Sequence, residues 1–103
     1  MTTVVISRFR LTAMGHAGKN VICAGVSTLT QMLAQEILIA HNKGWLKEPP
    51  VVIVQKGNVQ LRCKPKLIHE AEMLYLWGAV ADGLKMIADA YPDNVVIKSA
   101  LPD

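Results

Sequence analysis

The chain has 103 residues, 51% of them apolar, and a formal net charge of +3 from 11 basic and 8 acidic side chains. That length and composition suit one small domain over residues 1–103 and leave no room for a second. No uninterrupted apolar run reaches the roughly 18 residues of a membrane span, and Arg8 and Arg10 follow the first apolar run instead of preceding it. Neither a membrane segment nor a secretory signal is expected, and the expected location is the cytoplasm.

The two cysteines, Cys23 and Cys63, have no CxxC or HxxxH company. A disulfide framework, a structural metal site and a bound cofactor are therefore not expected. The mild basic bias does not demand a nucleic-acid partner. Lys56, Arg62, Lys64 and Lys66 cluster in one stretch, but it has no interleaved aromatics to stack on bases and reads as the wet face of a strand.

From the N-terminus, VVISRF (Val4 to Phe9) is rich in β-branched and aromatic residues, and RLTAM continues or pairs with that strand before Gly15 ends it. From Val21 to about His41, Ile22, Val26, Leu29, Leu33, Ile37 and Ala40 recur at intervals of three and four, predicting an amphipathic helix closed by Asn42 to Gly44. His41 faces the carbonyl end of that helix, and Trp45 supplies an apolar contact closing it. After Pro49 and Pro50, VVIVQ and VQLRC flank Lys56, Gly57 and Asn58 as a hairpin. In its second strand Val59, Leu61 and Cys63 share one side, which makes Cys63 a core thiol.

A second helix runs from about Leu67 or Ile68 to Tyr91, where Pro92 stops it, with Met73, Trp77, Val80, Leu84 and Ile87 as its inner stripe. Its apolar arc is wide enough for burial between layers or for a subunit interface. His69, Glu70 and Glu72 form its charged first turn. VVIKS (Val95 to Ser99) supplies a last strand. The fold class is α+β, a mostly antiparallel sheet with two helices packed on it, in the order strand(s), helix, hairpin, helix, strand.

The chemistry concentrates in GHAGKNVICAGVS, Gly15 to Ser27, which spans a strand end, a short loop and a helix start. With Asn20 as N-cap, Cys23 falls at the third helical position. A thiolate there lies beside unpaired backbone N–H groups and the positive end of the helix dipole. His16 can take the thiol proton, Ala24 and Gly25 are small enough to leave first-turn amides open to a substrate oxyanion, and Ser27 shares the helix face of Cys23. By spacing alone, a small buried structural thiol is the commoner reading of VICAGV.

Gly15-His16-Ala17, followed by Val21-Ile22-Cys23-Ala24-Gly25-Val26-Ser27, resembles the signature of the ribosomal-processing cysteine protease family, Prp. Its members carry Gly-His-Ala and then Asp-Ile-Val-Cys-Ala-Ala-Val-Ser or close variants. The likeness extends loosely over most of the chain in length, order of elements and the hairpin between two helices. It implies a small, commonly homodimeric α+β protein of bacteria that removes a short N-terminal extension from a large-subunit ribosomal protein, with phage-borne relatives acting on capsid proteins. It further implies Cys23 as nucleophile, His16 as general base, and supporting roles for Gly15 and Ser27.

Three features differ from that pattern. The loop AGKNVI between His16 and Cys23 is shorter than the family's flap. Asn20 stands where an Asp is usual, although Asn can still cap a helix or hold an imidazole. The segment before Gly15 is also shorter, which predicts one continuous strand without a hairpin turn. The leading function is a cysteine endopeptidase acting on a peptide segment of a ribosomal or capsid protein. The alternatives are a non-catalytic dimeric binding or assembly module of the same fold and a small RNA-binding domain.

Overall fold

The computed structural model describes residues 1–99. Five strands form one sheet: β1 (Thr2–Ser7), β2 (Arg10–Gly15), β3 (Val51–Gln55), β4 (Asn58–Arg62) and β5 (Val95–Ser99). The helices are α1 (Asn20–Asn42) and α2 (Glu70–Ala90), the second led in by a 3-10 turn over Leu67–His69. The spatial order is β3-β4-β2-β1-β5, antiparallel at every pairing except β1 with β5. The α+β architecture and the order of elements agree with the sequence reading.

Register explains which side chains are buried. Val4 lies opposite Ala13, Leu11 opposite Leu61, and Thr2 opposite Val95. All six are buried, because alternate residues share one sheet face. Against that face α1 lays Ile22, Val26, Leu33 and Ile37, and α2 lays Met73, Trp77, Val80 and Leu84. The helices approach closely where glycines leave room: a Cβ at Gly83 would lie 3.0 Å from Leu29 Cδ1, and one at Gly25 would lie 3.2 Å from Ile87 Cδ1. By length and mean hydropathy of 1.3, α1 could cross a membrane. Its buried stripe on the sheet makes it a core helix here. Helix α2 is not sandwiched between layers, since Tyr75 and Met86 are exposed on its outer side.

The N-terminal segment departs from the continuous strand expected. Ser7 pairs with Arg10, so Arg8 and Phe9 form a two-residue turn and the chain doubles back as a hairpin. Phe9 pays for this with a positive φ of 62°, unusual for a bulky residue. Burial of its ring holds it there: Phe9 is 8% exposed and meets Trp77 edge-to-face at 5.9 Å. The Trp77 indole Nε1–H in turn donates to the Arg10 carbonyl at 3.2 Å, fixing the second arm of the turn. Such an aromatic pair contributes about 1 kcal/mol beyond its buried area.

The β3–β4 hairpin turns at Lys56 and Gly57, as the spacing predicts, with Gly57 at a φ of 75°. Helix α1 ends through Gly44 at a φ of 75°, its N–H on the His41 carbonyl, and Trp45 donates back to Ala40. Trp45 also stacks on His69, ring centroids 4.4 Å apart. Cys63 is buried, as its alternation with Leu61 requires.

Candidate active site

Strand β2 ends at Gly15, which has a φ of 96° and whose N–H donates to the Gly57 carbonyl at 3.0 Å. Only glycine fits, because a Cβ here would also collide with the Met1 carbonyl. The chain then leaves the sheet through His16 to Lys19 and enters α1. Ala17 is buried, and its carbonyl accepts a 2.6 Å hydrogen bond from Asn94 Nδ2. The Asn94 carbonyl accepts in turn from the Thr2 N–H at 2.9 Å, so one residue before β5 ties the loop to the first strand.

The imidazole of His16 rests on the β3–β4 turn. A Cβ at Gly57 would lie 3.1 Å from both Cε1 and Nε2 of that ring. His16 is exposed on its other side. The ring thus has a floor and an open face toward solvent.

The helix start differs by one residue from the sequence reading. The N-cap is Lys19, in extended conformation and without a side-chain cap, and Asn20 is already helical. Cys23 is therefore the fourth helical residue, and its N–H donates to the Lys19 carbonyl at 3.0 Å. The amides without an intrahelical partner belong to the four residues ahead of it, Lys19 to Ile22. Ala24 lies further into the helix ladder, so it offers a small wall and not an oxyanion donor. The side chain that would have capped the helix had Asn20 sat one position earlier is instead available to the cleft.

These pieces meet in one cleft of about 780 Å³, lined from β2, the loop, the first turns of α1 and the β3–β4 turn. Gly15, His16, Asn20, Cys23, Ala24 and Ser27, all singled out from the sequence, line it together. Thr2, Lys19, Thr30, Gln31 and the turn residues Lys56, Gly57 and Asn58 also line it. Cys23 is half-buried and reaches the cleft. Among the described residues, the side chains on the lining that carry a fixed charge are those of Lys19 and Lys56. Thr30 forms part of the floor, its hydroxyl donating to the Val26 and Ser27 carbonyls at 3.0 and 3.2 Å.

The second thiol has the opposite character. Burial pushes the Cys63 thiol from 9.0 up to about 12, which keeps it protonated and inert. Two contributors to the site were absent from the sequence reading, Gly57 as the seat of the imidazole and Asn94 as the anchor of its loop. Gly57 was legible as a turn, but its place beside His16 follows from the pairing of β2 with β4, Met14 opposite Asn58. Asn94 carries no local signal at all.

No protein-family model and no curated protein matches the sequence. Solved structures do. The ribosomal processing protease Prp from S. aureus, in complex with a covalently linked product peptide, superposes with a TM-score of 0.74, covering 97% of this chain and all of that one. The fold is that of Prp. Sequence identity in this match is 20%. Prp from S. aureus with a substrate peptide gives the same TM-score at 18% identity, again over 97% of this chain and 100% of that one. SMU.848 from Streptococcus mutans gives 0.67 at 18% identity, covering 97% and 92% of the two chains. At such identities the likeness to Prp is one of fold, and activity has to be argued from the cleft itself.

Proposed function

We propose that the chain is a Prp-type cysteine endopeptidase in which His16 and Cys23 form the catalytic pair. The observation that carries this reading is that the Gly-His-Ala strand end and the Cys-Ala-Gly-Val-Ser helix start line a single open cleft. His16 takes the thiol proton. The Cys23 sulfur then attacks the carbonyl carbon of a peptide bond, and the developing oxyanion is held by N–H groups of the first helical turn. Collapse breaks the C–N bond, and the leaving amine receives the proton from His16. Water, deprotonated by the same imidazole, hydrolyses the thioester and frees the enzyme.

With no carboxylate among the described residues of the cleft lining, the pair works as a dyad, its imidazole seated by Gly57 and an amide from Asn20 or Asn58 within the same wall. Ser27, one helical turn beyond Cys23, contacts the bound peptide. The substrate is an extended N-terminal segment of a large-subunit ribosomal protein or of a capsid protein, and the reaction takes place in the cytoplasm. The exposed Tyr75 and Met86 of α2 support self-association as a homodimer.

The test is turnover of peptides covering such N-terminal segments, with iodoacetamide alkylation of Cys23 followed across pH. Wild type is expected to cleave, Cys23→Ser to be inactive, and His16→Ala to lose the enhanced thiol reactivity near neutrality. A Cys23 that alkylates no faster than a free thiol, with no turnover of any such peptide, would leave the non-catalytic binding module as the correct reading.

A further inference from the structure

The two lysines on the cleft lining come from different segments, one on the α1 side and one on the hairpin side. Lys19 is the N-cap of α1, and its carbonyl accepts the Cys23 N–H at 3.0 Å. Lys56 lies in the β3–β4 turn next to Gly57, on which the His16 ring rests. The Gly57 carbonyl in turn holds the end of β2 through the Gly15 N–H at 3.0 Å. Each lysine is thus rooted in backbone tied to Cys23 or to His16, and both side chains line the same cleft.

The ion pairs between described residues, Arg8 with Glu70, Lys64 with Glu48 and His69 with Glu72, use other side chains. Among the described residues no carboxylate lines the cleft, and none pairs with Lys19 or Lys56. Both lysines are exposed, so each contact with an incoming anion is modest, and its effect is to select between peptides more than to bind them tightly. Apart from His16 and Cys23, the other described lining residues carry no charge: apolar Ala13, Val26, Val54 and Val59, with hydroxyls and amides around them.

We propose that Lys19 and Lys56 select peptides with an aspartate or glutamate side chain close to the cleaved bond. The proposal rests on the peptidase reading of the cleft. A carboxylate has two oxygens, one for each ammonium. The flexible four-carbon stems let the two cations converge on it. An extended peptide advances about 3.3 Å per residue, so only side chains within about two residues of the scissile carbonyl reach them. Lysine or arginine at the same place meets two like charges and is rejected.

The experiment uses positional-scanning octapeptides, acetylated and amidated so that no terminal charge contributes. One position is fixed as aspartate, asparagine or lysine, and the others are drawn from uncharged residues. Turnover by wild type is measured beside retention on immobilised Cys23→Ser, quantified by mass spectrometry. Aspartate at its best position is expected to raise kcat/KM about tenfold over asparagine, the scale of two exposed ion pairs. Lysine should fall below both, and the aspartate advantage should shrink between about 50 and 200 mM salt. Lys19→Gln and Lys56→Gln each reduce it to about threefold. Lys19→Glu combined with Lys56→Glu inverts it in favour of lysine, while Lys85→Gln, on α2, retains the wild-type preference. Thermal melts verify that each variant is folded. Equal kcat/KM for aspartate and asparagine at every position, or an aspartate preference unchanged in both glutamine variants, would overturn the proposal and leave the peptidase in place. Selective retention of aspartate peptides without turnover of any would instead uphold the charge selection and overturn the peptidase reading.

Discussion

The ring of His16 lies against Gly57, so close that a Cβ on the glycine would come within 3.1 Å of Cε1 and Nε2. The turn that joins β3 to β4 therefore does two things. It closes a hairpin, and it sets the height of the imidazole above the cleft. Gly57→Ala is expected to cost about 1 kcal/mol from the positive φ alone. It should also push the ring aside by a few tenths of an ångström and lower peptide turnover several-fold. Urea unfolding and steady-state kinetics on the same variant separate the two effects, and an unchanged kcat would show that the ring position has no bearing on turnover.

Asn94 holds the buried Ala17 carbonyl at 2.6 Å and so fixes the short segment between His16 and α1. Asn94→Ala should destabilise the fold by about 1–2 kcal/mol, since the carbonyl loses its donor. Asn94→Asp keeps the shape and removes the donor, and it is expected to be at least as damaging. Thermal melts and the rate of Cys23 alkylation check both variants. A wild-type alkylation rate in Asn94→Asp would show that the hydrogen bond does not position the site.

The two thiols are expected to react in separate phases. Cys23, half-buried in the cleft, should take up one equivalent of a disulfide reagent under native conditions, while Cys63 reacts only on unfolding. Cys23→Ser should abolish the native phase. Rapid labelling of both sulfurs in the folded protein would contradict the burial of Cys63.

Cys63 also links stability to alkaline pH. Its folded value of about 12 lies above its ordinary 9.0, so burial favours the neutral thiol. That contribution is fully present below pH 9.0 and is lost progressively as pH rises toward about 12, where the unfolded chain has already released its proton. The loss approaches about 1.4 kcal/mol per pH unit in that window. Urea midpoints of wild type should fall more steeply there than those of Cys63→Ala, and parallel curves would show that the thiol does not contribute.

The turn at Arg8 and Phe9 rests on an aromatic anchor. Removing the ring in Phe9→Ala is expected to cost about 3–4 kcal/mol, partly through the lost edge contact with Trp77. Phe9→Gly should recover some of that loss, because glycine tolerates the positive φ that alanine does not. Equal destabilisation by the two substitutions would mean that backbone strain at residue 9 is negligible.

Features of the chain governed by neighbours in sequence were determined by the sequence itself. The period of three and four in α1 and α2, the alternation of Leu61 and Cys63, and the Lys56-Gly57 turn all depend on side chains a few residues apart. The stretch Gly15 to Ser27 likewise contained Gly15, His16, Asn20, Cys23, Ala24 and Ser27, which line part of the cleft. What depended on pairing between distant segments was decided only by tertiary structure. Whether Val4 to Met14 runs straight or doubles back was settled by the burial of Phe9 against Trp77, 68 positions away in a chain whose sequence offers several other apolar partners. The cap of α1 shifted from Asn20 to Lys19 because the loop is drawn in by Asn94 and Gly15. The register of β2 with β4 set Gly57 under His16 at one end and Arg10 opposite Arg62 at the other. A one-residue slip would have turned each of these side chains to the other face, and no local pattern encodes that choice.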